Sequence, residues 1–108
     1  MNINTGLILC AGFGKRVKPL TNFVPKPLLK VQDKVLLDSS IHFLQNCGIR
    51  KININTHYLA DQIEDFIKKK NYKIKIQIFF EEEILNTGGG IKNMLNKEKE
   101  NNFLIINS

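Results

Sequence analysis

Four short apolar and β-branched runs, at residues 5–10, 51–55, 74–80 and 103–107, constrain this chain more than any other feature. Each has the length of a buried strand, and the spacing between successive runs is long enough for a crossover connection. Helical periodicity fills the gaps. Leu36, Leu37, Ile41, Phe43, Leu44 and Cys47 form one amphipathic stripe closed by Gly48. Leu59, Ile63, Phe66 and Ile67 form a second that ends in a lysine run, and a third, shorter helix is expected to begin near Gly89 and carry Ile91, Met94 and Leu95. The order β, long loop, α, β, α, β, loop, α, β predicts an α/β fold of three layers, α/β/α, with a largely parallel sheet covered by helices on both faces.

The chain has 108 residues, of which 43% are hydrophobic and 24% charged. That length suits one core, with no domain boundary or repeat within residues 1–108, and the composition is too apolar for disorder. No apolar run approaches the roughly 20 residues that span a bilayer, which argues against a membrane-embedded chain. Cys10 and Cys47 are too few for a disulfide framework, and each sits in an apolar stretch, where a buried thiol is expected. The opening residues lack the basic segment of a secretory signal, so a reducing, cytoplasmic setting is expected. The net charge of +6 comes from 14 Lys and 2 Arg in a chain that also holds 15 Ile and 13 Asn, a general compositional bias. Lys68, Lys69, Lys70, Lys73 and Lys75 read as a solvated face at a helix C-terminus, where cations complement the dipole. Nucleic acid is disfavoured as a partner by the acidic run Glu81 to Glu83 and by the absence of an aromatic-and-arginine platform.

In open parallel sheets ligands bind beyond the carboxyl ends of the strands. Three segments arrive there: residues 11–26, 55–58 and 81–90. The first reads Ala11-Gly12-Phe13-Gly14-Lys15-Arg16-Val17-Lys18-Pro19-Leu20-Thr21, then Pro25-Lys26-Pro27. Glycines let a backbone approach phosphate oxygens with its N–H groups exposed, and Lys and Arg bring the matching charge. A dinucleotide fingerprint would need a third Gly where Val17 stands and an acidic residue ending the second strand, which instead ends in Asn55. A Walker A loop would need Gly-Lys followed by Ser or Thr after four intervening residues, and that is absent too.

The full string Leu9-x-Ala11-Gly12-x-Gly14-x-Arg16-x-x-Pro19-Leu20-Thr21-x-x-x-Pro25-Lys26-Pro27-Leu28, with Val31 three residues on, strongly resembles the signature of the sugar-1-phosphate nucleotidyltransferases. A second stretch, Glu81-Glu82-Glu83-Ile84-Leu85-Asn86-Thr87-Gly88-Gly89-Gly90-Ile91, resembles that family's loop facing the nucleobase, with Asn86 where many guanylyltransferases carry Gly. Together with Asn55-x-His57-Tyr58-Leu59-Ala60 it looks most like the muramate-1-phosphate uridylyltransferases and mannose-1-phosphate guanylyltransferases. The resemblance covers essentially the whole chain. It implies a Rossmann-like fold of the nucleotide-diphospho-sugar transferase type, truncated, with residues 1–108 as the N-terminal, nucleotide-binding part of one domain.

The reaction so implied joins a nucleoside triphosphate and a sugar 1-phosphate into a nucleotide sugar, with pyrophosphate leaving. Arg16 and Lys26 are the candidate catalytic cations, Arg16 for the departing phosphates and Lys26 for the α-phosphate and the incoming one. Ala11, Gly12, Gly14, Lys15, Glu81 and Gly88 are the candidate nucleotide-binding residues. Lys15 is the weaker cation, and Glu81 either meets an N–H on the base edge or belongs with Glu82 and Glu83 to a solvated turn. Asn55 and His57 suit a capping or packing role equally well, and His42 reads as structural. The family holds Mg²⁺ through an Asp directly after the fourth strand, which here reads Phe103 to Asn107 before Ser108 ends the sequence. Glu98 and Glu100 precede that strand, so no metal ligand is assigned within the chain, and a 108-residue form is expected to turn over poorly. The competing reading is a non-catalytic nucleotide-binding or regulatory module of the same fold.

Overall fold

The computed structural model describes residues 3–14, 16, 18–85, 87–95 and 102–107. The chain runs through β1 (Thr5–Leu9), a short hairpin of β2 (Lys30–Val31) and β3 (Lys34–Val35), α1 (Leu36–Asn46), β4 (Lys51–Thr56), α2 (Ala60–Lys70), β5 (Lys75–Phe80), α3 (Thr87–Leu95) and β6 (Phe103–Asn107). Leu7 and Ile8 point to opposite faces and both are fully buried, so β1 needs cover on both sides. It lies inside a four-stranded parallel sheet of order β5-β4-β1-β6. Thr5 stands opposite Lys51 on one side and Phe103 on the other, and Lys51 stands opposite Lys75.

The two faces carry different cores. Ile8, Ile52 and Ile54 pack with Leu37, Ile41 and Leu44 of α1 and Ile63 of α2, and Leu104 and Ile106 of β6 join them. Burial of such a side chain contributes about 1.5–3 kcal/mol, so this cluster supplies most of the driving force. On the opposite face Leu7 and Leu9 pack with Met94 of α3, supported by Phe79, Ile91, Leu95 and Phe103. The layers are therefore α1 with α2, the sheet, and α3, as the alternation of apolar runs predicts.

The helix ends follow local chemistry. Gly48 closes α1 at φ 86°, donating its N–H to Gln45 O. Asn71 closes α2 in the left-handed region at φ 50° and donates to Ile67 O, a conformation that Asn tolerates better than most residues. Lys68, Lys69 and Lys70 in its last turn are exposed.

Three expectations need correction. The stripe on α1 is narrower than its hydrophobicity suggests: Leu37, Ile41 and Leu44 are buried, but Phe43 is 58% exposed and Cys47 is also exposed. Phe43, Cys47 and Leu36 lie roughly 100° round the helix axis from the buried three. Only Cys10 is a buried thiol, and burial pushes its pKa far up, so it stays protonated. The connection before α1 is not wholly irregular either, since β2 and β3 form an antiparallel hairpin turned by Gln32 and Asp33, both at positive φ. Such a turn usually advertises itself through Asn-Gly or Asp-Gly, and two-residue strands are too short to show alternation.

Candidate functional site

β1 ends at the point where the sheet's connections diverge, with β4 on one side and β6 on the other. In an open parallel sheet this switch point, beyond the carboxyl ends of the strands, is where a ligand is expected to bind. The glycine loop that follows β1 is held from several directions. Gly14 has φ 68°, and a Cβ there would come within 2.7 Å of Thr21 Cγ2. The fully buried Thr21 donates from Oγ1 to Gly14 O at 2.7 Å. From the neighbouring β4–α2 connection, Tyr58 Oη donates to Thr21 O at 2.6 Å, and Gln62 Nε2 of α2 donates to Phe23 O at 2.7 Å. The Phe13 ring sits edge-on to His57 at 5.3 Å between centroids.

A buried polar bridge ties the loop's stem to the other two strands. Asn55 Oδ1 accepts from Cys10 N at 2.7 Å, and Asn55 Nδ2 donates to Glu81 Oε2 at 3.1 Å. Glu81 Oε1 accepts from Leu85 N at 3.1 Å, while Glu81 N donates to Thr56 O at 2.8 Å. His57 Nδ1 approaches Glu81 O at 2.6 Å; a carbonyl only accepts, so the proton is on Nδ1. At the far side Gly90 closes the space, because a Cβ there would stand 2.8 Å from Asn55 Nδ2 and 3.2 Å from Glu81 Oε2.

The residues singled out from the sequence thus fall into three places. Ala11, buried, and Gly12, exposed, begin the glycine loop, and nothing lies within 4 Å of a Cβ built on Gly12. Glu81 is 4% exposed with each carboxylate oxygen on a protein donor, unlike Glu82 and Glu83, which are exposed as a solvated turn would have them. Gly88 is exposed in the first turn of α3. Arg16 is exposed in the loop. Lys26 is exposed between the buried Pro25 and Pro27, and with Leu36, Phe43, Ile106 and Asn107 it lines a groove of about 640 Å³ that reaches the end of β6. Lys15, Asn86 and Ser108, and with them Glu98 and Glu100, lie outside the described residues.

Asn55, Tyr58, Gln62 and Thr21 emerge as loop holders from the structure. Apart from the bond of Asn55 to the Glu81 carboxylate, their partners are backbone atoms, which carry no side-chain pattern for a sequence to display. Asn55 has a weak signal: like Asn53 it stands in a strand expected to be buried, where an amide needs a polar partner. His42 sits on the surface of α1, where Nε2 lies 3.3 Å from Asp38 Oδ1. Among the described residues no group of three or more His, Cys, Asp or Glu side chains could hold a metal ion, and no helix is long and apolar enough to cross a membrane.

A glycine loop at the switch point of a parallel sheet, with cations around it, is the arrangement of nucleotide-binding α/β proteins. A family model described as nucleotidyl transferase matches residues 5–108, and the chain belongs to that family. The D-glycero-alpha-D-manno-heptose 1-phosphate guanylyltransferase of Aneurinibacillus thermoaerophilus is 34% identical over 101 residues, covering 94% of this chain and 44% of that protein. The N-acetylmuramate alpha-1-phosphate uridylyltransferase of Caulobacter vibrioides is 37% identical over 93 residues, 82% of this chain and 38% of the relative. Among solved structures, HddC from Yersinia pseudotuberculosis complexed with GMP-PN superposes with a TM-score of 0.86 at 32% identity, across 97% of this chain and 47% of that one. The chain thus spans less than half the length of these relatives.

Proposed function

We propose that this chain is the nucleotide-binding portion of a sugar-1-phosphate nucleotidyltransferase, an enzyme that transfers a nucleoside monophosphate from a triphosphate to a sugar 1-phosphate. The observation that carries the reading is the glycine loop at the end of the central strand, pinned by Thr21, Tyr58 and Asn55, in a chain whose family match runs from residue 5 to residue 108. In the reaction a phosphate oxygen of the sugar phosphate attacks the α-phosphorus; the new P–O bond forms as the bond to pyrophosphate breaks. Such chemistry depends on positioning and on neutralising charge, with little covalent work for the protein. Backbone groups of Ala11, Gly12 and Gly14 hold the triphosphate, and Gly88 leaves room beside the base. Glu81 belongs to the base end, where its carboxylate holds the loop leading to Gly88. Arg16, and beside it Lys15, meet the β and γ phosphates; a guanidinium fork binds them bidentately and does not deprotonate. Lys26 places a point charge between the α-phosphate and the sugar phosphate, the latter entering along the groove toward Asn107.

Mg²⁺ is the expected metal, and when bound it would neutralise charge on the phosphates. The described residues do not supply a ligand set for it, so no step here runs through it. Two free cysteines accord with a cytoplasmic setting.

Calorimetric titration of the chain with GTP, UTP, CTP and dTTP tests the reading. At least one should bind, and Arg16→Ala and Lys26→Ala should each weaken it by about tenfold, the loss of one charge-assisted contact. No binding of any triphosphate, or affinities untouched by both substitutions, would sink the proposal.

A further inference from the structure

We infer that Asn55 and Glu81 are positioning residues: through one buried bridge they set the distance between the glycine loop and the loop that leads into α3, so that a nucleotide spanning both finds them in register. This rests on the nucleotide reading above. Both side chains are almost wholly buried, at 5% and 4% exposure, and the partners leave no freedom in their orientation. Cys10 N can only donate, so it meets the Asn55 oxygen; the Glu81 carboxylate accepts, so it meets the Asn55 nitrogen. Cys10 directly precedes Ala11 and Gly12, and Leu85, held by the other Glu81 oxygen, lies two residues before α3 begins at Thr87. One amide and one carboxylate thus connect the stem of one loop to the body of the other. Gly90 presses the first turn of α3 against the same pair.

Burying two polar side chains costs free energy that an apolar pair would not, so fold stability alone is a poor reason for them. What they add is directionality, since each hydrogen bond has one length and one angle, whereas apolar contact tolerates sliding. The bridge also explains the burial of Glu81, which stands first in an acidic run whose other two members are solvated.

The test compares ligands that engage one loop with ligands that engage both. Glu81→Gln keeps size and shape but turns one acceptor into a donor, so that one of the two bonds is lost. Gly90→Ala leaves both partners in place and pushes on them from outside. Titration of the unaltered chain and both variants with inorganic tripolyphosphate, and with GTP, UTP, CTP and dTTP, separates the roles, with far-UV circular dichroism reporting the fold. Expected is a fall of about tenfold in affinity for the preferred nucleotide in either variant, with tripolyphosphate affinity held within about twofold. Equal losses for both ligand types in a folded variant, or no loss for either, would overturn the positioning role and leave the nucleotide reading standing. Absence of nucleotide binding by the unaltered chain would overturn that reading, and the positioning role with it. Should Glu81→Gln fail to fold, Gly90→Ala decides alone. The Cys10 amide gives an independent check: its bond to Asn55 should make it slow to exchange with solvent, and fast exchange in the unaltered chain contradicts the bridge.

Discussion

Gly12 and Gly14 stand two residues apart in the same loop and answer to different masters. Gly14 is needed by the fold: its φ of 68° is left-handed, and Thr21 occupies the space a methyl would take. Gly14→Ala should cost about 1–2 kcal/mol from the backbone alone, lowering the melting temperature by several degrees. Gly12 has neither constraint, since a Cβ there meets no protein atom and its φ is not positive. Gly12→Ala should therefore melt with the unaltered chain yet bind nucleotide more weakly, because the methyl fills space proposed for phosphate. Thermal melts paired with calorimetry check both; a Gly12→Ala protein that binds normally would remove that glycine from the site. At this scale the sequence was informative about which residues gather and silent about why. The Ala11 to Lys26 string marked the loop, but Glu81 looked equally suited to solvent and to a base until its two donors, Asn55 Nδ2 and Leu85 N, were seen.

At the scale of elements, α1 and α2 are joined by more than their shared sheet. Tyr72, just past α2, donates its hydroxyl to Asp38 Oδ1 on α1. Burial first, then the hydrogen bond to Asp38 and its negative charge, push the tyrosine pKa well above its ordinary value near 10. The fold thus favours the neutral phenol. Its contribution is fully present below pH 10 and disappears as pH rises from there toward the folded-state value. Tyr72→Phe should lose about 1 kcal/mol at pH 7, a figure kept low because the group is half-buried. Urea melts at pH 7 and above pH 10 should show the gap between the two proteins closing; a gap that widens would contradict the linkage. Elements of this size were largely legible beforehand. All four long strands announced themselves as apolar runs of strand length, and the three helices through apolar residues recurring at a period of 3.6. The hairpin of β2 and β3 did not, because each strand is two residues long and Gln32-Asp33 is an uncommon pair for its turn. The open flank of α1 did not either, because hydrophobicity alone cannot say which of two adjacent stripes faces the sheet.

The whole molecule is lopsided. One face of the sheet is covered by two helices over an extended cluster of aliphatic side chains, while on the other α3 is the one helix among the described residues, anchored by Met94 on Leu7 and Leu9. Beyond α3, Ile105 of β6 is left 48% exposed. Local opening follows the density of buried contacts, so native-state hydrogen exchange should find α3 amides opening at lower free energy than those of α1 and β4. Equal protection across the three would show that the thin face is as cooperative as the thick one. The strand order has a further effect, on the timing of assembly. β1 is near the start of the chain, but its partner on one side begins at Lys51 and on the other at Phe103. A growing polypeptide must therefore keep Leu7 and Leu9 waiting, unpaired along one edge, until nearly all of these residues have been made. Contacts so distant along the chain slow folding. The segment that carries the glycine loop is thus made long before β6, the strand that supports β1 along one of its two edges.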